Sequence, residues 1–147
     1  MRKTVISVLF LAILVGLAML GFQKFKPTTP LVQVVVPQAG LVVEMPQAND
    51  LVVSPLVVSG YVDGKDRWTG FEGQVGTVQL LDGNGKLLVL GILTATAENW
   101  MQFPTSFSTT LTFSAPTTAV GTLVFKNENA SGMPEYEREL RLPVKFK

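Results

Sequence analysis

The chain has 147 residues, with 12 Lys or Arg, 11 Asp or Glu, no His and no Cys. Without Cys the chain has neither a disulfide framework nor thiol chemistry. Without His it lacks the usual general base at neutral pH and the commonest metal ligand. Ser-His and Cys-His catalysis and most zinc sites are therefore excluded, which leaves carboxylate pairs, Ser-Lys chemistry and oxygen-ligated Ca²⁺.

An uncharged, strongly apolar stretch begins at Val5 and ends at Phe22. A membrane-spanning helix needs about 20 predominantly apolar residues, so this stretch is long enough to cross a bilayer. Basic residues flank it on both sides, with a slight excess that favours the N-terminus inside. We predict that residues 1–26 form a signal anchor in the cell membrane, with the C-terminal part extracytoplasmic. The alternative is a cleaved signal peptide, which would export the same domain.

The part of the chain that follows this segment is mildly acidic, because all the Asp and Glu residues lie beyond Lys26 and outnumber the basic residues there. Nucleic acid binds basic surfaces, so it is not an expected partner. The sequence Pro27-Thr28-Thr29-Pro30 predicts a stiff spacer over residues 27–31. Residues 32–147 are then enough for one domain with its own core.

Within 32–147 the apolar residues recur with a period of two, which indicates strands with one buried face. At the C-terminus, for example, Leu140, Leu142 and Val144 alternate with charged residues. The pattern predicts strands at about 32–36, 41–44, 51–53, 56–62, 70–81, 86–94, 106–114, 120–126 and 139–146. Many short strands at this spacing predict an all-β fold, an antiparallel β-sandwich.

Two details of the pattern predict local structure. Asp82-Gly83-Asn84-Gly85 predicts a hairpin turn. It also begins like a calcium loop, but the twelfth position, which needs a bidentate acid, is Leu93.

Pro143 has no N–H, so the last strand is expected to be an edge strand or to carry a bulge there. We predict no metal and no cofactor.

A series of short segments then carries a family resemblance. In chain order they are Ser54-Pro55-Leu56-Val57-Val58-Ser59-Gly60, Phe71-Glu72-Gly73, Leu81-Asp82-Gly83-Asn84-Gly85, Trp100, the stretch 107–113, Gly121-Thr122-Leu123-Val124, Asn129-Ala130-Ser131-Gly132-Met133-Pro134-Glu135 and Leu142-Pro143-Val144-Lys145-Phe146. Together they resemble the immunoglobulin-like domain of bacterial spore germination proteins, over roughly Val32 to Phe146. The resemblance implies an immunoglobulin-like sandwich that can stand alone behind a membrane anchor. It supplies no catalytic residues.

We therefore expect a membrane-anchored, extracytoplasmic, immunoglobulin-like binding or scaffolding module of a bacterial envelope, not an enzyme, with an envelope protein or glycan as partner. The candidate contact residues are Trp68, Trp100, Ser131, Gly132, Pro134 and Glu135. For each tryptophan the alternative is packing in the core or at the rim. The Ser-Gly-x-Pro segment is also typical of a structural turn.

Two other functions stay open. One is an enzyme that acts on cell-wall glycan through acidic residues, which would need two carboxylates at a set separation. The other is a surface subunit that assembles through its edge strands. Outward charges such as Lys145 and Lys147 indicate protected edges and count against the second.

Overall fold

The computed structural model of the chain describes residues 40–147. The predicted anchor (1–26), the spacer (27–31) and the first predicted strand (32–36) lie outside the described residues. Within 40–147 the structure has eight strands and one short 3-10 turn, and no helix there is long and apolar enough to cross a membrane. The strands are β1 (Leu41–Met45), β2 (Leu51–Val52), β3 (Leu56–Val62), β4 (Gln74–Asp82), β5 (Leu87–Ala95), β6 (Thr105–Leu111), β7 (Val120–Lys126) and β8 (Glu139–Phe146), with the 3-10 turn at Pro134–Tyr136.

The prediction of short strands is confirmed for every strand expected beyond residue 40. The largest difference is at β4, which was expected from residue 70 and begins at Gln74. The residues before it form a tight turn in which Glu72 and Gly73 have positive φ angles of 50° and 80°. An extended strand requires negative φ, so this turn delays its start.

The strands are ordered β1-β3-β6-β5-β4-β7-β8-β2 in one hydrogen-bonded sheet. All neighbours are antiparallel except β2 and β8, which are parallel. The link between β5 and β6 is narrow, since only Thr94 and Ala95 of β5 pair with Ser108 and Phe107 of β6. The sheet therefore divides there into a layer of β1, β3 and β6 and a layer of β5, β4, β7, β8 and β2.

Contacts between the two groups of strands show that they face each other. Phe113, just beyond β6, has its ring 6.1 Å from that of Phe146 in β8. A Cβ added to Gly91 of β5 would come within 2.5 Å of Leu111 Cδ2 in β6. One cluster of buried side chains includes residues of both layers, so the fold is a β-sandwich with a single core.

Trp68 lies in the middle of this core although it comes from the β3–β4 connection. Its side chain is 0 % exposed. The indole Nε1–H donates a hydrogen bond of 2.9 Å to the Val75 carbonyl oxygen, which satisfies its polar group. The connection is thereby fixed to the strand that follows it.

The last strand behaves as Pro143 predicts. Pairing with β7 extends along the whole of β8, whereas β2 covers only Lys145 and Phe146 on its other side. At Pro143 the strand is therefore an edge, where a missing N–H breaks no ladder. The Pro143 carbonyl oxygen accepts a 2.7 Å hydrogen bond from the Asn49 N–H.

The predicted hairpin between β4 and β5 is also confirmed. The Asp82 side chain is 5 % exposed, and its Oδ1 accepts hydrogen bonds from the backbone N–H groups of Asn84 and Lys86, both at 2.9 Å. Gly85 adopts a φ of 80°, which only glycine reaches at no steric cost. Asp82 is thus the residue that organises this turn.

Candidate functional site

Three connections converge at one end of the sandwich, because β3, β5 and β7 run in the same direction and end there. They are the β3–β4 connection (63–73), the β5–β6 connection (96–104) and the β7–β8 connection (127–138). We call these three connections the loop end. The chain also enters β1 at this end, since the Asp63 N–H donates to the Gly40 carbonyl oxygen at 3.0 Å.

Arg138 joins two of these connections. Its Nε donates to the Asp66 carbonyl oxygen at 3.1 Å and lies 3.3 Å from the Asp66 carboxylate. Its Nη1 donates to the carbonyl oxygens of Glu135 and Glu137 at 2.9 and 2.7 Å. The side chain is 22 % exposed, so these charge-assisted bonds are partly shielded from water.

A second contact joins the same connections on the outside. The guanidinium carbon of Arg67 lies 4.2 Å from the centroid of the Tyr136 ring, a cation–π geometry. Asn127 supports the turn beneath it, because its Nδ2 donates to the Tyr136 carbonyl oxygen at 2.9 Å while its Oδ1 accepts from the Arg138 N–H at 2.8 Å. Side-chain contacts therefore join the 63–73 and 127–138 connections into one unit.

The structure places the predicted residues Ser131, Gly132, Pro134 and Glu135 together on the exposed surface of this unit. The Ser131 hydroxyl donates to Asn129 Oδ1 at 2.7 Å, and Asn129 Nδ2 donates to the Met133 carbonyl oxygen at 2.9 Å. Gly132 has a φ of 66°, and Pro134 begins the 3-10 turn. The predicted turn is thus present, and the side chains of Ser131 and Asn129 hold it.

The two tryptophans differ in accessibility. Trp68 is 0 % exposed, which favours the core-packing alternative for that residue. Trp100 is half-buried on the β5–β6 connection, where its ring packs against Gly70: a Cβ added there would lie 3.2 Å from Trp100 Cε3. Trp100 thereby links the β5–β6 connection to the β3–β4 connection.

Sequence reasoning missed the most exposed apolar side chains of the loop end. Phe71, Met101 and Met133, one on each connection, are 49, 68 and 46 % exposed. Each stands in a turn-rich segment with no periodic pattern, so no sequence signal separates them from core residues. Arg138 was missed for a different reason, since its partner Asp66 is distant in sequence and nothing local predicts their contact.

A cleft of about 450 Å³ opens beside the β7–β8 connection. Its lining residues are Lys126, Asn127, Asn129, Pro134, Glu137, Arg138 and Glu139. Lys126 Nζ lies 3.5 Å from Glu139 Oε2, so opposite charges already neutralise one another along its wall. Such a lining suits a polar, hydrogen-bonding partner rather than a free ion.

Two acidic residues of this region, Asp63 and Asp66, are engaged in ion pairs. Asp63 accepts the Lys65 backbone N–H at 2.9 Å and lies 3.2 Å from the Lys65 ammonium. The backbone hydrogen bond is the main cause that holds the pKa of Asp63 below its ordinary value, although partial burial opposes it. Asp66 forms an ion pair with Arg138. Within 40–147 no cluster of three or more metal-ligating side chains occurs.

The architecture is that of an immunoglobulin-like β-sandwich protein, with a loop surface at one end. Residues 41–133 match the family described as the immunoglobulin-like domain of bacterial spore germination. The match covers more than half of the chain, so the chain belongs to this family and the suspected membership is confirmed. No curated protein and no solved structure matches the chain significantly. Domains of this family are generally non-catalytic, which supports a binding or scaffolding role at most.

Proposed function

We propose that the protein is a membrane-anchored, extracytoplasmic module of a bacterial envelope that binds or scaffolds an envelope protein or glycan through its loop end, without catalysis. The observation that carries this proposal is the union of the β3–β4 and β7–β8 connections by Arg138 and by the Arg67–Tyr136 contact. A surface that is rigid before binding loses less conformational entropy when a partner docks.

The chemistry of this surface supports a protein or glycan as partner. Phe71, Met101 and Met133 offer exposed apolar area on the three connections, and a polar cleft opens beside the β7–β8 connection. Apolar anchors surrounded by hydrogen-bonding groups are typical of protein interfaces, and half-buried aromatic rings such as Trp100 are suited to stacking on sugars and peptides. Asp63 and Asp66 are ion-paired, which disfavours these two residues as the acid pair of the glycan-hydrolysing alternative.

The loop end is tested by site-specific photo-crosslinking in intact cells. A photo-reactive amino acid is introduced at Met101 or Met133, and a control position is Asn84 in the β4–β5 turn at the opposite end of the sandwich. We expect one defined adduct from the loop-end positions and none from Asn84. Equal labelling at all three positions, or none at Met101 and Met133, would contradict the proposal.

The membrane attachment rests on the sequence from Val5 to Phe22 and is tested separately. Cells that produce the full chain, or a form without residues 1–26, are fractionated and treated with external protease. We expect the full chain in the membrane fraction with its C-terminal domain digestible from outside, and no membrane association of the truncated form. A soluble exported product that begins shortly after the apolar stretch would support the cleaved signal peptide instead.

A further inference from the structure

β5 has one side without a strand partner over much of its length. Its other side pairs with β4, from Gln74 opposite Thr94 to Leu81 opposite Leu87. On the open side it pairs with β6 only at Thr94 and Ala95. Within residues 40–147, the segment 87–93 therefore presents an open sheet edge.

The hydrogen bonds at the end of β5 show to which side its backbone N–H and C=O groups point. The Ala95 N–H donates to Gly73 on the β4 side, and the Thr96 N–H donates to Ser106 on the β6 side. Backbone groups of alternate residues point to opposite sides of a strand. Beyond Val89 the one irregularity of this pairing lies in β4, between Gln74 and Gly76, and adds no residue to β5. The alternation therefore holds along β5, and the N–H and C=O groups of Leu90 and Ile92 point to the open side.

The side chains at this edge are apolar and exposed. Leu87, Leu90 and Ile92 are 50, 53 and 45 % exposed, and β5 contains no charged residue and no proline. A long apolar edge strand of this kind is a template for pairing with another chain, and most proteins protect such edges.

The two outermost strands of the same sheet, β1 and β2, are protected. β1 carries Glu44 and an irregular register between Val43 and Met45, and β2 is only two residues long. Short strands, bulges and edge charges are the devices that prevent unwanted pairing. Since the chain uses them at β1 and β2 but not at β5, the open edge of β5 is suited to an occupant.

The charge pattern fits a second copy of the same chain. A two-fold axis brings each residue near its own copy, so a charged edge would repel itself, whereas β5 is neutral. Lys86 precedes β5 and Glu98 follows it. With a two-fold axis at Leu90 the numbers of facing residues add up to 180, so Lys86 of one copy faces Thr94 of the other and no like charges face each other along the paired strands.

We propose that the protein self-associates by antiparallel pairing of β5 with β5 of a second copy, about a two-fold axis near Leu90. The two sheets then continue across the interface, and the side chains of Leu90 and Ile92 from both copies pack together on the outer face. This self-association is independent of the loop end and of its partner.

A single introduced cysteine tests the pairing in the full chain, in its own membrane or in detergent. The chain contains no Cys, so a disulfide can form only between two copies of the substituted residue. Leu90→Cys places the thiols at the axis, where facing Cα atoms of an antiparallel pair are about 4.5–5.5 Å apart, within disulfide range. The control is Met101→Cys, which is more exposed, at 68 %, but lies on the loop end. We expect several-fold more disulfide-linked dimer from Leu90→Cys, and equal or absent dimer from both variants would overturn the proposal.

A charge substitution gives an independent test. Leu90→Lys places two ammonium groups at the axis and should convert the dimer into a monomer in analytical ultracentrifugation. The matched control is Val57→Lys on β3 in the other layer, where Val57 pairs with Thr110 of β6 and is 47 % exposed. This control should remain dimeric, and circular dichroism checks that both variants fold. A monomeric wild type, whether the edge is empty or covered by residues 32–36 of the same chain, would refute the proposal. A Leu90→Lys variant that stays dimeric would refute it as well.

Discussion

Single polar residues organise the ends of this sandwich through bonds to backbone groups. Asp82 and Thr105 are the buried polar residues of the described chain, and both are satisfied. Asp82 accepts two backbone N–H groups in the β4–β5 turn. The Thr105 hydroxyl lies within hydrogen-bonding distance of the Gln102 and Trp100 carbonyl oxygens, at 2.6 and 3.1 Å. Each residue therefore holds one turn at one end of the molecule.

Replacing Asp82 should be costly for that reason. Asp82→Ala leaves the N–H groups of Asn84 and Lys86 without their acceptor, and we expect a loss of about 1.5–3 kcal/mol in the free energy of unfolding. Urea denaturation of the purified protein measures it. The control is Asn84→Ala in the same turn, where the side chain is exposed and a change below about 0.5 kcal/mol is expected. Similar losses in the two variants would show that the Asp82 carboxylate does not hold the turn.

Asp63 predicts a pH dependence of stability. The Lys65 backbone N–H and then the Lys65 ammonium hold the pKa of Asp63 below its ordinary value of 3.8. A folded-state pKa below the unfolded value stabilises the fold fully above the unfolded pKa, and this stabilisation is lost as the pH falls through the folded pKa. The difference in unfolding free energy between wild type and Asp63→Asn should therefore shrink between about pH 6 and pH 2. A difference that stays constant or grows on acidification would contradict this assignment.

At the scale of whole elements, the main feature is the union of two connections that are far apart in sequence. Arg138 bonds to Asp66 in one connection and to Glu135 and Glu137 in the other. Each connection has backbone hydrogen bonds within it, such as Trp68 N–H to the Lys65 oxygen and Tyr136 N–H to the Met133 oxygen, both at 3.0 Å. Side chains make the bonds that join one connection to the other. The contact surface that we propose depends on the same bonds.

Arg138→Met should loosen both connections while the strands remain paired. We expect faster amide hydrogen exchange over 63–73 and 127–138, and a loss of about 1–2 kcal/mol in stability, because charge-assisted bonds to carbonyl oxygens disappear. Hydrogen-exchange mass spectrometry resolves these segments. Arg141→Met is the control, since Arg141 is 61 % exposed and its surface ion pair with Glu139 contributes little to stability. Unchanged exchange in Arg138→Met would mean that packing alone orders the loop end.

The molecule as a whole has no side chain whose ordinary pKa lies between 5 and 8, because it contains no His. We expect its free energy of unfolding to stay constant within about 0.5 kcal/mol between pH 6 and pH 8. Denaturant titrations at a series of pH values measure it. A titration in this range would reveal a carboxyl with a strongly raised pKa, which carboxylate catalysis requires, and would favour the enzymatic alternative.

The sequence by itself determined the elements whose signals are local. Alternation of apolar and polar residues predicted β6 and β8, and Asp82 with its glycines predicted the hairpin, because a strand face and a short turn are set by neighbours in the chain. Segments matching the family pattern identified the fold class for the same reason.

The tertiary structure alone decided the features that join distant parts of the chain. It buried Trp68 in the core, brought Arg138 to Asp66, and left the edge of β5 open while covering part of β8 with β2. Each of these outcomes depends on which strands become neighbours and on where the sheet divides into layers. That order follows from the packing of the whole core, in which residues far apart in sequence compete for the same space, and no local pattern encodes it.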